Sequence, residues 1–286
     1  MTTSEAQDDP TVRRGRTARQ AARLARTMEH LPYLTRKLPP VEVVSAEGLE
    51  AIEHNADTLL QEVGVEVVNF PEAVEIFRRA GAEVEGSRVR FERGMCRELV
   101  QATAPRIFTQ RARNPERNVV IGDPHMVLVP TYGSPFIHNL DDGRRYATIE
   151  DFRNFVKLTY SSHTLHHGGG TLCEPVDLPV NKRHIEMVYS HIRYTDKAFM
   201  GSVTHPSRAQ DSVDMVKVLF GADTLEHEHV IMGLANANSP MSWDFNMLGS
   251  AKVYAENNQI MLITPFILGG AISMIWLFSE IGRAHV

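Results

Sequence analysis

A chain of 286 residues with 43% hydrophobic and 23% charged residues has enough apolar surface for one large core or two smaller ones. Its formal net charge of −5 argues against a general nucleic-acid or membrane-surface binder. The two cysteines, Cys96 and Cys173, lie far apart in no CxxC pattern, which suits a reducing cytoplasm with each as a lone buried thiol.

No apolar stretch follows Met1, so no secretory signal is read there. The run "RRGRTARQAARLAR" holds six arginines from Arg13 to Arg26. Residues 1–44 are expected to be a basic, flexible arm ending at the breaker "LPPVEVV". Ser45 reads as a helix N-cap, with Leu49, Ile52, Ala56, Leu59, Leu60 and Val63 at helical spacing and Gly64 as the stop. "VEVV" is a short strand, "PEAVEIFRRAG" a short helix closed by Gly81, and "AEVEGSRVRF" a hairpin. "RGMCRELVQATAP" is helical, and β patterns follow in "RIFTQRAR", "NVVIG", "MVLVP" and "SPFIHNL", then the turn "DDGRR". Residues 45–147 are thus expected to form an α+β subdomain.

From Thr148, which with Asp151 has the spacing of a capping box, the rhythm changes. Strand candidates begin at Thr164, Ala198, His229 and Ile260, spaced 34, 31 and 31 residues apart, with an amphipathic helix in each gap. That alternation predicts βα units on a parallel sheet. The loops "GGGTLCEP", "THPS", "ANSP" and "LGGA" follow the strands, where an α/β barrel keeps its chemistry. The expected fold class is α/β: about four βα units of an incomplete (β/α)8 barrel over residues 148–272, behind the α+β subdomain. A doubly wound sheet is the competitor, but neither GxGxxG nor GxxxxGK[ST] occurs. Ile260–Ser279 is uncharged for twenty residues. Pro265 and Gly269–Gly270 interrupt it, so a membrane span is not expected. Residues 273–286 read as an aberrant, non-native tail, because "EIGRAHV" resembles the translation of a common sequencing adapter.

Polar residues gather at the expected strand ends: His166 and His167 at the first, Glu174 in its loop, Thr204 and His205 at the second. Asn236, Asn238 and Ser239 fall at the third, and Thr264 at the fourth. In a barrel they would face one mouth. His163, His166, His167 and His205 are conceivable zinc ligands, but no HExxH or cysteine cluster supports a metal, and none is expected. No GxSxG nucleophile occurs.

The stretch "NANSPMSWDFNMLGSAKVYAENNQIMLITPFILGGA" resembles the trimethylamine methyltransferase family. So do "IEHNADTLLQEVGVEV", "AGAEVEGSRVRF", "APRIFTQRARNPERNVVIG" and "GRRYATIEDFRNFVKL", and the likeness covers about residues 11–272. It implies a cytoplasmic α/β-barrel enzyme that moves a methyl group from a methylated amine, such as trimethylamine or glycine betaine, to the cobalt of a corrinoid. That corrinoid (cobalamin) is carried by a partner protein and not bound tightly by this chain. It also implies that relatives of the trimethylamine enzyme often lack its pyrrolysine; the segment where one would fall lies beyond Ala271. The intact parent is expected to be a homo-oligomer, and this chain an inactive N-terminal part of it. On this reading the substrate-binding residues are His166, His167, Glu174, His205, Asn236, Asn238, Trp243, Thr264 and Phe266. Trp243, Phe266 and Tyr132 are the ring walls for a cation, Glu174 the carboxylate that faces it, and His205 and Asn238 the holders of a substrate carboxylate. Core packing is the competing role for Trp243 and Phe266. The alternatives are a zinc-dependent barrel methyltransferase or hydrolase, and a non-catalytic half-barrel that self-associates.

Overall fold

A short strand, Leu34–Thr35 (β1), precedes the first helix, Ala46–Thr58 (α1). Ser45 caps α1 as expected, its Oγ accepting from the Gly48 N–H at 3.2 Å. A π-turn at Leu59–Val63 closes it, and Gly64 follows with φ +69. There a Cβ would also sit 2.4 Å from the Val89 carbonyl oxygen, so glycine alone fits. The apolar stripe of α1 is left uncovered among the described residues, with Leu49 and Ile52 exposed; burial begins only at Leu60. The computed structural model of the chain describes residues 31–39, 41–236 and 241–263. Residues 1–30 of the expected arm over 1–44, with Asn238, Ser239, Thr264, Phe266 and the tail, therefore lie outside the described residues.

The strand Val65–Val68 (β2) leads into the helix Pro71–Arg79 (α2), which starts with proline at its first position and buries Ala73, Val74, Ile76 and Phe77. The expected hairpin is Glu83–Glu85 (β3) and Arg88–Arg90 (β4), followed by the helix Met95–Thr103 (α3). Phe108–Gln110 (β5) pairs with Val119–Ile121 (β6), and His125–Met126 (β7) pairs with β1. Only these two residues of the "HMVLVP" stretch form a strand. Phe136–Asn139 (β8) and Gly143–Tyr146 (β9) are a hairpin around Asp141–Asp142. The next helix, Ile149–Ser161 (α4), opens with the expected capping box. Arg145 reinforces it, donating to both Asp151 oxygens at 2.7 and 2.9 Å. With the Thr148 bonds added, this holds the Asp151 carboxyl down at about 2.

Beyond α4 come the helices Arg183–Tyr194 (α5), Pro206–Phe220 (α6) and Ala222–His227 (α7), then Met232–Ala235 (β10) and Ser242–Asp244 (β11). Phe245–Glu256 (α8) and Ile260–Ile263 (β12) complete the described part. Four chain segments lie side by side in sequence order. Gly168 N–H donates to Ala198 O at 2.7 Å, and Met200 N–H to Gly169 O at 2.9 Å. Met200 forms a parallel bridge with Met232, and β10 runs parallel to β12 through four paired residues. The last two segments are regular strands. The first two, expected as strands, are not: Gly168–Gly170 run together, Gly169 takes φ +77, and the ladder lapses after two bonds.

The helices cover these segments closely. The buried Tyr254 ring of α8 lies on the second and third, and its hydroxyl donates to Ser202 O at 3.0 Å. A Cβ on Gly201 would stand 2.3 Å from that hydroxyl, and one on Gly233 2.8 Å from the ring. β11, which sequence patterning assigns to no strand, pairs parallel with β2 and makes a sheet of order β11-β2-β4-β3. One apolar cluster consequently joins Leu60, Val67, Phe77 and Phe91 to Trp243, Leu248 and Ala251, crossing the 147/148 boundary read from the sequence. Cys96 and Cys173 are both buried free thiols, and burial pushes each up to about 12.

Gly201→Ala should lower stability by roughly 2–3 kcal/mol in urea unfolding, because the side chain overpacks against Tyr254, Ile231 and Ser212. Adding Tyr254→Phe removes the nearest atom, so the double variant should lose less than the sum of the singles. Lys197→Met should cost about 2 kcal/mol or more by the same measurement, since three carbonyls held by its ammonium lose their donor.

Candidate functional site at the C-terminal ends of the parallel segments

The four parallel segments have two ends, and polar side chains collect at both. At the N-terminal end the polar groups satisfy one another. His166 accepts from Leu128 N–H through Nδ1 at 2.9 Å while its own N–H donates to Leu128 O at 3.0 Å. His167 Nδ1 accepts from Gly169 N–H at 2.9 Å, which leaves Nε2 to donate to Gln110 Oε1 at 3.0 Å. The Gln110 amide in turn donates to Phe199 O at 2.9 Å. Gln259 serves the third segment in the same way, its Oε1 accepting from Val230 N–H at 2.8 Å. His166 and His167 were expected at the mouth. The pairing of Gly168 with Ala198 instead sets them at the start of their segment, 1% exposed each, inside this plug. His163, exposed just upstream, takes no part in it.

Burial without a counter-charge keeps these rings neutral. It drives His167 down to about 3, helped by His191 nearby, and His191 down to about 4. His166 is lowered too, by burial and by the Lys197 charge. His191 stacks on Phe199 with parallel planes, meets Phe152 edge-on, and donates from Nε2 to Gly170 O at 2.9 Å.

The C-terminal end is open. Thr171, Ser202, Thr204 and His205 follow the first and second segments, and Asn236 follows the third. His205 caps α6, its Nδ1 accepting from Ser207 N–H at 3.1 Å, and lies edge-on to Phe245 with centroids 5.8 Å apart. Ser202 and Thr204 share a hydroxyl hydrogen bond of 3.2 Å, and Arg208 donates to Thr204 Oγ1 at 3.0 Å. Gly133 N–H donates to Thr171 O at 2.7 Å, which brings the loop of the part-exposed Tyr132 to the same rim. A cavity of about 20 Å³, room for one water molecule, is lined by Gly170, Thr171, Gly201, Ser202, His184 and His191. His184 donates from Nε2 to Asp211 Oδ2 at 2.7 Å; among the described residues its buried Nδ1 has no hydrogen-bond partner.

Of the residues expected to bind substrate, the structure therefore brings His205 and Asn236 to the rim and sets His166 and His167 at the other end. Glu174 lies in the loop after the first segment but pairs with Arg183 at 3.0 Å, and Arg183 also holds Leu178 O and Val176 O. That ion pair fixes the loop's course. Trp243 is 1% exposed in β11, inside the apolar cluster, and takes the packing role. Sequence reading missed His184, Asp211, Arg208 and Phe245. The available signal was position: each lies in the first or second turn of a helix entered from a segment's C-terminal end. Among the described residues, no group of three or more His, Cys, Asp or Glu side chains is placed to hold a metal ion. Nor is any helix among them long and apolar enough to cross a membrane.

Residues 12–283 match the trimethylamine methyltransferase (MTTB) family. The chain belongs to that family. It is 41% identical over 238 residues to a glycine betaine methyltransferase of Desulfitobacterium hafniense (strain Y51), covering 82% of this chain and 49% of the relative. It is 27% identical over 229 residues to a proline betaine:corrinoid methyltransferase of Eubacterium limosum, covering 77% and 46%. Over 120 residues it is 30% identical to an L-carnitine:corrinoid methyltransferase of the same organism, covering 42% and 24%. The chain thus spans about half the length of the first two of these family members.

The buried neutral histidines carry a pH dependence. His167 and His191 bind protons in the unfolded chain near pH 6.5 but in the folded chain only near 3 and 4. Below about pH 6.5 the unfolded state binds more protons, so stability falls as pH falls, by about 1.4 kcal/mol per unit for each histidine. Urea midpoints measured at pH 7 and pH 5 should show this loss, and His191→Phe, which keeps the stack on Phe199, should remove about half of it.

Proposed function

We propose that the protein of full family length transfers a methyl group from a quaternary amine of the betaine type to the cobalt of a corrinoid carried by a separate protein. The observation that carries this reading is the 41% identity to a glycine betaine methyltransferase across 82% of the chain. All three relatives take betaine-type substrates by name: glycine betaine, proline betaine and carnitine. Each such molecule joins a quaternary ammonium to a carboxylate. On this reading the four parallel segments are the first strands of a (β/α)8 barrel. Their C-terminal rim would be its mouth, with residues 45–147 an α+β subdomain beside it.

The chemistry asks little acid–base work of the protein. A quaternary ammonium leaves as a neutral amine, so no proton need be delivered; the reduced cobalt of the second substrate supplies the nucleophile. What remains is to position the methyl group and exclude water. The rim has features suited to that. Tyr132 and Phe245 present part-exposed rings, and a ring face attracts an ammonium. Hydroxyls of Ser202 and Thr204, with His205 and Asn236 nearby, supply polar contacts.

The test is methyl transfer from glycine betaine to cob(I)alamin by the full-length protein, followed by the cobalamin absorbance change. Methylated cobalamin should form with glycine betaine and not with dimethylglycine, which has no quaternary nitrogen. This chain by itself should give no turnover. Transfer from trimethylamine but not from any betaine would replace the substrate assignment.

A further inference from the structure

The helices flanking the rim carry many ion pairs, yet one rim cation has no carboxylate. Arg208 lies in the first turn of α6, three residues after His205, and is half-buried. Among the described residues its one side-chain partner is Thr204 Oγ1, at 3.0 Å. Among the described residues no carboxylate comes within ion-pairing distance of it, although Asp211 lies one turn further along the same helix. Asp211 is engaged elsewhere, 2.7 Å from His184 Nε2. By contrast, the similarly part-buried Arg117, Arg145, Arg153 and Arg183 each pair with an acid.

Arg208 is also anchored to the segment ends rather than left to solvent. Thr204 Oγ1, which receives its hydrogen bond, shares another with Ser202 Oγ, and Ser202 lines the small cavity between the first two segments. The same cavity is lined by His184, 5% exposed, and by His191; among the described residues the Nδ1 of neither has a hydrogen-bond partner. Buried polar atoms in native proteins are nearly always satisfied, so an orphan of this kind in a cavity marks a place for an incoming polar atom. Two independent features, an uncompensated guanidinium and an unsatisfied imidazole, thus stand in the first turns of the helices that follow two neighbouring segments.

We infer that Arg208 is the anchor for a substrate carboxylate, held ready by Thr204. This rests on the betaine reading above and goes beyond it by assigning the group that distinguishes a betaine from a simple methylated amine. A guanidinium offers two parallel N–H donors to a carboxylate, and such charge-assisted pairs are the stronger hydrogen bonds. Arg208 spends one donor on Thr204, which fixes its plane and leaves the others for the ligand. The anchor carries no methyl chemistry; it selects zwitterions and sets the distance at which their ammonium lies.

Calorimetric titration of the chain with glycine betaine, and separately with tetramethylammonium chloride, tests this. Arg208→Gln should weaken glycine betaine binding by about 10- to 100-fold and leave tetramethylammonium binding unchanged. Arg208→Lys, which keeps the charge without the fork, should fall between. An unchanged unfolding midpoint in each variant excludes a folding defect. Equal glycine betaine affinity in Arg208→Gln and the parent chain overturns the anchor while leaving the methyl-transfer reading intact. Equal weakening of both ligands overturns it too, since the effect is then not on the carboxylate. If the full-length protein fails to transfer methyl groups from any betaine, the underlying reading falls, whatever the titrations show.

Discussion

The ammonium of Lys197 fixes where the parallel segments begin. It is 1% exposed and donates to three backbone carbonyls, Thr159 O, Ser162 O and Leu165 O, at 2.7–2.9 Å. Two of these carbonyls belong to the end of α4, where orphan carbonyls and the negative end of the helix dipole favour a cation. The third stands at the entry to the first segment, and Lys197 itself stands at the entry to the second. One charge therefore joins a helix end to two neighbouring segment starts. Burial lowers this group to about 8, so at neutral pH it still carries its proton for the most part. A buried cation is costly unless every proton finds an acceptor, and here three protons meet three carbonyls.

That constraint separates the two ends of the segments. The N-terminal end is closed by groups that complete one another: His167 with Gln110, Gln110 with Phe199 O, Gln259 with Val230 N–H. The C-terminal end holds hydroxyls, an uncompensated guanidinium and an imidazole with an unused nitrogen. The same residue type serves opposite purposes at the two ends. His166 and His167 are neutral structural acceptors in a plug, whereas His205 caps a helix at the rim.

Much of this was legible in the sequence where the determinants are local. Ser45, the Thr148–Asp151 box and the proline-started helix α2 are fixed by side chains within a few residues of the backbone they satisfy. The spacing of the four segments also showed through, because helix length and packing set that period. What failed depended on partners far away in sequence. β11 exists because Ser242–Asp244 meets β2, more than 170 residues earlier, and no pattern within three residues can announce that. Trp243 looked like a ring wall for the same reason: its burial comes from the long-range pairing. His166 and His167 were misplaced because a run of three glycines has no side-chain alternation from which register can be read, and the Gly168–Ala198 bond decides it instead.

On the proposed betaine reading, a zwitterionic substrate would impose two demands of opposite sign, and the rim is suited to them unequally. The carboxylate would need a cation already freed from neighbouring acids, and Arg208 is the group proposed for it. The ammonium needs a ring face or an acid, and the acid read from the sequence, Glu174, is tied to Arg183. An acid held in an ion pair attracts a second cation weakly, since most of its field is already cancelled. The attraction at this rim would then fall to the rings, Phe245 at the start of α8 and Tyr132 in the stretch before β8. A quaternary ammonium loses little by this, because its charge is spread over methyl groups that cannot donate hydrogen bonds, and an aromatic face suits it better than an oxygen does. On the same reading, a soft ammonium end and a fixed carboxylate end would also serve the proposed transfer: a methyl group held too tightly in the ground state would have to give up that hold on the way to the cobalt.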